Sequence, residues 1–497
     1  MILMVMGMSQ IQTTIHWEIL AQNYEQSHRR QGNLREKPRG YHFQRLGSPR
    51  LPSDLVLRDY QTQAVVSWFR QRGRGMLKMA TGSGKTITAL AITTELHEKI
   101  GLQALLVVCP YRHLVTQWAR ECGKFNLQPL LAFESVEQWQ RTLSNQLYHL
   151  TKGTQDFLTI ITTKATLIKE GFQSQLPYFP EKTLIVGDEA HHLGTPRLLA
   201  SLPSQIGLRL GLSATPERYF DETGTDGVFH YFGATLSPQF TLADAIAQGA
   251  LVPYFYYPLF VELTAAEALT YAKFTKRIGW ALADNPNWNT NETLTSLLMQ
   301  RSRLVGTAEN KLPTLARLMS TRLDTSHTLF YCGDGAIETR SDGIHRQVAA
   351  VTRLLGNELG FRVHSYTAET PMKEREQLRI QFEQGELQGL VAIHCLDEGV
   401  DIPAIRHAVI LASTGNPRQF IQRRGRVLRP HSGKTEATIF DMIAIPPQLD
   451  RETWEVERNL LRKELKRFLE FAKLAKNAAA ASEKLLTLQE QYRLPPD

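Results

Sequence analysis

The sequence has 497 residues, of which 42% are hydrophobic and 21% are charged, as in ordinary globular proteins rather than disordered or membrane-spanning ones. A prior of roughly 100 to 200 residues per domain predicts two to four units. The 57 basic residues exceed the 49 acidic ones, and the net charge of +8 favours a polyanionic partner without identifying one. No stretch is long and apolar enough to span a bilayer, and the apolar start at residues 1–8 lacks a basic leader, so we expect a cytoplasmic protein without a signal peptide.

Cysteine and histidine spacing gives no sign of a metal site. The 15 histidines and the four cysteines, Cys109, Cys122, Cys332 and Cys395, show no paired ligand pattern. Three of the cysteines fall in apolar runs that we interpret as buried strands. We therefore predict core thiols and no structural metal.

The first half of the chain alternates between strand and helix patterns. Residues 1–50 are basic, have little periodicity and end in turn-forming residues, so we predict an N-terminal arm or cap. Within a first α/β domain at 51–225, short apolar runs predict strands at 75–79, 104–109, 157–161, 183–186 and 208–212. Amphipathic helices between them, at 86–99 and around 113–118, indicate a parallel sheet covered on both faces.

A second alternating series predicts another α/β domain at 311–445. Its strands are expected at 327–331, 361–365, 390–393, 408–411 and 437–440, and its helices at 344–359 and 372–382. Residues 226–310 contain several prolines and two helical stretches, which predicts a connector with structure of its own. Residues 446–497 are a predicted C-terminal helical tail, whose apolar stripe we expect to pack on the second domain.

A glycine-rich loop precedes the helix predicted at 86–99. Residues 80–86 read ATGSGKT, and the expected phosphate ligands are Thr81, Gly82, Ser83, Gly84 and Lys85. Thr86 is expected to present its hydroxyl to Mg²⁺, as the P-loop pattern requires, although Met79 replaces the usual first small residue of that pattern. A glycine-rich turn alone is an ordinary helix start, but the following Lys-Thr favours nucleotide binding.

Two adjacent carboxylates follow the strand predicted at 183–186. Because ligands bind at the carboxyl ends of parallel strands, Asp188 is expected to hold Mg²⁺, and Glu189 to orient or deprotonate the attacking water. An Asp-Glu pair alone is usually a solvated loop. Here the pair lies between the P-loop and the segment GLSATP at 211–216, and this order favours a role in the nucleotide site.

These motifs resemble those of superfamily 2 helicases and translocases, over residues 57–441. The resemblance implies an α/β fold of two tandem RecA-like domains with parallel sheets, and ATP and Mg²⁺ as cofactors. In the segment LRDYQ at 57–61, Gln61 and Arg58 correspond to residues that read adenine. Pro110, Thr162 and Thr163 stand where such proteins touch the nucleic-acid backbone, a contact that carries little sequence information.

The same resemblance assigns a second half of the nucleotide site. Gly399 and Asp401 match the motif that lies beside the nucleotide. Gln422, Arg426 and Arg429 match the motif that supplies arginine fingers, where a basic run alone would indicate only a charged surface. ATP is therefore expected to be clamped between two domains.

Within the superfamily, the chain is most similar to the branch of type III restriction motors and XPB-like proteins. This branch implies DNA as partner, with a role in repair or in bacterial defence. No nuclease pattern is present, so we expect a separate chain to cleave DNA. A nucleotide-controlled clamp or assembly factor and an RNA helicase remain alternatives.

Overall fold

The computed structural model describes residues 10–31, 47–218, 221–284, 291–333, 335–339, 343–367, 369–393, 402–412, 425–445, 465 and 468–492. The chain divides into two compact units, Met1–Leu242 and Ala243–Asp497. The division falls inside the segment expected to be a connector. Among the described helices, none is long and apolar enough to cross a membrane.

The first unit is built on a six-stranded parallel sheet. Its strands are β1 (Arg74–Lys78), β2 (Ala104–Cys109), β3 (Pro129–Ala132), β4 (Leu158–Thr163), β5 (Thr183–Gly187) and β6 (Leu208–Ser213). The order across the sheet is β1-β6-β5-β2-β4-β3. Every residue of β2, β4, β5 and β6 is buried, as expected for a parallel sheet with both faces covered.

The helices of the first unit follow the alternation that the sequence predicts. They are α1 (Gln10–Thr14), α2 (Trp17–Gln31), α3 (Asp59–Arg70), α4 (Lys85–Ile100), α5 (Arg112–Lys124), α6 (Val136–Thr151), α7 (Lys164–Leu167), α8 (Glu170–Gln173), α9 (Pro196–Ser201) and α10 (Glu222–Phe232). The described part of the expected N-terminal arm packs on this unit, since the Trp17 ring meets Trp68 edge-on at 6.0 Å. Arg70 on α3 also pairs with Glu25 on α2 at 3.1 Å.

The second unit has its own six-stranded parallel sheet and a small hairpin. Its strands are β7 (Tyr254–Glu262), β8 (Thr328–Cys332), β9 (Ala336–Thr339), β10 (Gly343–Arg346), β11 (Val363–Tyr366), β12 (Gly389–Ile393), β13 (His407–Ile410) and β14 (Ala437–Ile445). The sheet order is β11-β12-β8-β13-β14-β7, and β9 and β10 pair antiparallel. Two parallel α/β sheets confirm the predicted fold of two RecA-like domains.

Helices flank these strands in sequence. They are α11 (Leu242–Ala247), α12 (Ala265–Asp284), α13 (Glu292–Gly306), α14 (Lys311–Ser320), α15 (Gln347–Arg353), α16 (Met372–Glu383) and α17 (Ala478–Gln491), with a π-helical turn at Leu354–Glu358. The helix predicted at 344–359 was wrong at its start. Residues 344–346 belong to β10, because their backbone pairs with β9, for example Ile344 with Glu338.

The segment predicted as a connector supplies structure to both units. Helix α10 contacts β1 and β6 of the first sheet. Strand β7 pairs with β14 along its full length and forms an edge of the second sheet. Pro258 within β7 is compatible with this place, because proline is tolerated on edge strands.

The described part of the tail packs on β7, as predicted. The side-chain amide of Asn477 donates to the carbonyl oxygen of Tyr256 and accepts from its N–H, both at 2.9 Å. The Lys476 N–H donates to the carbonyl oxygen of Tyr254 at 2.7 Å. The tail thus occupies the side of β7 opposite β14.

The cysteines that the structure describes are core residues. Cys109, Cys122 and Cys332 are buried free thiols, and burial raises their pKa above the usual range. Cys395 lies outside the described residues.

Candidate nucleotide site

The glycine-rich loop connects β1 to α4 and folds around its own backbone. Gly82 and Gly84 have φ values of 86° and 88°, which glycine adopts at little cost. The Ser83 hydroxyl donates to the Ala80 carbonyl at 2.7 Å. Gly84 is the N-cap of α4 and provides no capping side chain, and the start of a helix presents backbone amides that can bind an anionic ligand.

Lys85 lies inside this loop. Its side chain is buried, and its Nζ donates to the carbonyl oxygens of Met79 at 3.2 Å and Ala80 at 3.4 Å. Thr81 is buried nearby, and its hydroxyl has no hydrogen-bond partner among the described residues. Thr86, half-buried, is in the first turn of α4. The loop therefore gathers one cation, two hydroxyls and the backbone amides at a helix start, the groups that bind phosphate.

Helix α3 supports the loop from one side. The Tyr60 hydroxyl donates to the Ser83 carbonyl at 2.6 Å, and the Tyr60 ring stacks on Phe240 with centroids 3.6 Å apart. Gln61 donates from Nε2 to the Gly84 carbonyl at 3.3 Å and accepts at Oε1 from the Arg58 N–H at 2.9 Å. The amide of Gln61 thus joins the start of α3 to the P-loop.

A side chain at Gly84 would have to displace the side-chain amide of Gln61. A Cβ at that position would come within 2.6 Å of the Gln61 Nε2. Arg58 is exposed at the start of α3. The structure places both residues beside the loop, and their reading of adenine stays a prediction.

Asp188 follows β5 and is held by two N–H donors. The Trp118 Nε1–H donates to its Oδ2 at 2.9 Å, and the Glu189 N–H donates to its Oδ1 at 3.0 Å. Burial, and secondly repulsion from Glu189, raise the pKa of Asp188 to about 6, against the lowering effects of the Trp118 hydrogen bond and the Lys85 charge. Because β1 and β5 both pair in parallel with β6, the P-loop after β1 and the acidic pair after β5 lie at the same edge of the sheet, where the Lys85 charge lowers the pKa of this carboxyl group.

Glu189 has an unusual backbone conformation. Its φ of 44° lies in the left-handed region, which is costly for a residue with a Cβ and is typical of functional sites. Its Oε2 lies 3.5 Å from the Nδ1 of His191, which also lies 3.0 Å from the Ser213 hydroxyl oxygen. Ser213 in turn accepts from the Thr215 N–H at 3.2 Å. A polar network therefore links Glu189 to the segment GLSATP at the end of β6.

The oxygen groups of this site fit Mg²⁺. A carboxylate and a hydroxyl are the hard ligands that Mg²⁺ prefers, and Asp188 and Thr86 supply them. Asp188 is only 8% exposed, and burial raises its pKa because its charged form is poorly solvated there. A bound cation would stabilise that charged form.

The predicted arginine fingers lie in the second unit. Residues 425–427 form a helical turn, and the Arg429 N–H donates to the Arg426 carbonyl at 3.4 Å just beyond it. Arg426 is buried, and the turn is fixed by Lys434, whose Nζ donates to the Val427 carbonyl at 2.6 Å. Three further predicted residues, Gly399, Asp401 and Gln422, lie outside the described residues.

The residues predicted to contact nucleic acid lie at the carboxyl ends of β2 and β4. Pro110 is buried after β2. Thr162 is buried, and its hydroxyl donates to the Ala132 carbonyl at 2.8 Å. The Thr163 hydroxyl caps α7 by accepting from the Thr166 N–H at 3.2 Å. Both threonine hydroxyls thus make hydrogen bonds within the protein. The exposed groups at this edge are those of neighbouring residues.

Four residues of the site were missed by the sequence interpretation. Tyr60 and Ser213 are adjacent to motif residues and could have been found by asking which polar groups support the loop. Trp118 and Phe240 are distant from the motifs in sequence and reach them only through the fold.

Two family models match the chain, one in each half. The family "Type III restriction enzyme, res subunit" matches residues 54–218, and "Helicase conserved C-terminal domain" matches residues 336–431. The chain is 26% identical over 396 residues to "DNA 3'-5' translocase XPB2" of Sulfurisphaera tokodaii, covering 77% of this chain and 80% of that protein. It is also 26% identical to "Putative DNA 3'-5' helicase Rad25" of Haloarcula marismortui, covering 76% of this chain and 51% of that protein.

A solved structure shares the fold. The "ATP-dependent Type ISP restriction-modification enzyme LlaBIII bound to DNA" superposes with a TM-score of 0.56 at 18% identity, over 89% of this chain and 33% of that one. The chain is also 25% identical to a third relative, "Putative helicase 22" of a Sulfolobus islandicus filamentous virus, and spans 64% of it. The two family matches and the relative XPB2 together identify the chain as a superfamily 2 helicase or translocase, similar to type III restriction motors and XPB-like proteins.

Proposed function

We propose that this chain is an ATP-dependent DNA translocase that moves in the 3′ to 5′ direction. The observation that carries the proposal is the position of Lys85 after β1 and of Asp188 and Glu189 after β5, at the same edge of the first sheet. The direction and the DNA substrate are supported by the printed names of the relatives.

Each nucleotide-site residue of the first unit has a defined role in this proposal. Bound Mg²⁺ would neutralise charge on the phosphates of ATP. Lys85 exchanges its two carbonyl partners for phosphate oxygens, and the amides from Gly82 to Thr86 hold the remaining oxygens. Asp188 and Thr86 hold the cation. Glu189, beside His191, orients the attacking water.

The remaining site residues are proposed from the motifs that they match. Arg426 and Arg429 act as arginine fingers on charge that develops at the γ-phosphate, with Gln422 beside them. Gly399 and Asp401 contact the nucleotide, and Arg58 and Gln61 recognise its base. The two ATPase domains correspond to residues 51–225 and 311–445, with 226–310 between them, an arm at 1–50 and a tail at 446–497.

DNA contact is proposed at the carboxyl ends of β2 and β4, near Pro110, Thr162 and Thr163. Since the threonine side chains are buried, the groups that reach the phosphates are backbone amides and neighbouring cations. Arg112 is 72% exposed there, and Lys164 lies over the Tyr111 ring at 5.3 Å. We further propose a role in DNA repair or defence in which any cleavage is performed by a separate nuclease.

The test compares ATP hydrolysis with single-stranded DNA, duplex DNA, forked DNA and RNA at one fixed salt concentration, because phosphate-dominated binding depends steeply on salt. A second assay follows displacement of a triplex-forming strand from duplex DNA. We expect displacement with ATP and none with a non-hydrolysable analogue or with Lys85→Ala. ATPase stimulation without displacement would indicate a clamp, and preferential stimulation by RNA would indicate an RNA helicase.

A further inference from the structure

Trp118 on α5 is the side chain that connects this helix to the acidic pair. Its indole is 1% exposed, and its Nε1–H donates to Asp188 Oδ2 at 2.9 Å. The other carboxylate oxygen accepts from the Glu189 N–H at 3.0 Å. With one donor on each oxygen, the rotation of the carboxylate is fixed, and lone pairs remain on both oxygens for a cation.

Helix α5 begins at the edge where DNA contact is proposed. Arg112, its first residue, is exposed and lies 3.9 Å from Glu134, and Pro110 precedes it by two residues. Trp118 follows about two turns later, and α5 is anchored beneath by the buried Val115 and Cys122. A displacement of this helix would therefore move the indole donor relative to Asp188.

We propose that Trp118 is a positioning residue for the Asp188 carboxylate, and that α5 transmits DNA contact at its first turn to the residue that holds Mg²⁺. The inference rests on the proposed function, and it explains how DNA binding would stimulate ATP hydrolysis by this chain. In this route the hydrogen bond between the indole and the carboxylate tightens when DNA holds the start of α5.

A purely structural role for Trp118 makes a different prediction. If the Trp118 ring only fills the core, replacing it by phenylalanine should affect ATP hydrolysis no more than the same replacement at another buried tryptophan. Trp139 provides the matched control, because it is 2% exposed in the same unit and its Nε1 has no hydrogen-bond partner among the described residues. Trp118→Phe and Trp139→Phe remove similar volume, and only the first removes a donor from Asp188.

The experiment measures ATP hydrolysis by the full chain as a function of Mg²⁺ concentration at saturating ATP, with and without duplex DNA. For Trp118→Phe we expect roughly a tenfold higher Mg²⁺ requirement, the effect of losing one hydrogen bond to a charged group, and a loss of most of the DNA stimulation. Trp139→Phe should keep the wild-type Mg²⁺ requirement and stimulation. Equal effects of the two substitutions, or a Trp118→Phe protein that behaves as wild type, would overturn the inference.

Two further comparisons separate a folding defect, a failure of the proposed function and a failure of the role of Trp118. If Trp118→Phe does not fold, Trp118→benzothienylalanine retains the ring size and replaces the N–H by sulfur, and the same Mg²⁺ and DNA effects are expected. If the wild-type ATPase itself does not respond to any DNA, the proposed function fails. If the wild type responds and the benzothienyl protein responds equally, only the role of Trp118 fails.

Discussion

Replacing Asp188 by asparagine removes a buried charge, and the structure predicts how the free energy of unfolding responds to pH. In the nucleotide-free protein, burial and the neighbouring Glu189 raise the pKa of Asp188 from 3.8 to about 6. As the pH rises, the unfolded chain releases this proton before the folded chain does. Stability that is fully present below about pH 4 is therefore lost progressively until the pH passes 6.

The size of this loss follows from the difference in pKa. At about 1.4 kcal/mol per unit, the wild type loses about 3 kcal/mol by neutral pH, of which about 1 kcal/mol is already lost at pH 4.5. Asp188→Asn has no such loss, so its stability relative to the wild type should rise by about 2 kcal/mol between pH 4.5 and pH 7.5. Asparagine can accept only one of the two N–H bonds at this position, but that cost is constant with pH and cancels in the comparison.

The assay is urea unfolding of the full chain at both pH values in EDTA. Asp54→Asn, which changes an exposed carboxylate in the turn before α3, is the matched control for the loss of a surface carboxylate. Parallel profiles for Asp188→Asn and the wild type would refute the reasoning. Addition of Mg²⁺ and ATP should stabilise the wild type more than Asp188→Asn, because only the wild type has the carboxylate that holds the cation.

Three further substitutions test separate parts of the site. Lys85→Ala should abolish hydrolysis and weaken ATP binding, measured by calorimetry, and near-normal turnover would contradict its contact with phosphate. Arg426→Ala should lower turnover by about 10³-fold while ATP affinity stays near normal, because a finger acts on the transition state; equal losses in both would make it a ground-state ligand. Gly84→Ala should cost about 1–2 kcal/mol through its positive φ alone, and thermal unfolding should show this together with weaker ATP binding, since the new Cβ displaces Gln61.

The sequence predicted the interior strands well but missed one edge strand of each sheet. The strands β2 and β5 are unbroken apolar runs because both faces are buried, so their pattern is unambiguous. Strand β3 has four residues and starts at a proline, and it was not predicted. Strand β7 carries Pro258 and exposes Tyr257, so it was assigned to a connector although it extends the second sheet.

In the candidate site, residues within contiguous motifs were predicted, whereas contacts between residues far apart in the sequence were not. Lys85, Asp188 and Glu189 were identified because their chemistry is written in contiguous motifs. The hydrogen bond from Trp118 joins residues separated by 70 positions, and the contact between Tyr60 and Phe240 depends on the loop that returns Phe240 to β1. Such pairs depend on how the helices pack, which the periodicity of a single segment does not specify.

The tail residues that pair with β7 also have a consequence for self-association. An unpaired edge strand is a template on which another chain can add its own strand, and natural proteins commonly cover or interrupt such edges. Here Asn477 mimics a neighbouring strand at Tyr256, and Lys484 donates to the carbonyl oxygen of Pro258 at 3.1 Å. Proteolytic removal of residues 468–492 would uncover this edge, and the truncated protein should form concentration-dependent oligomers through β7.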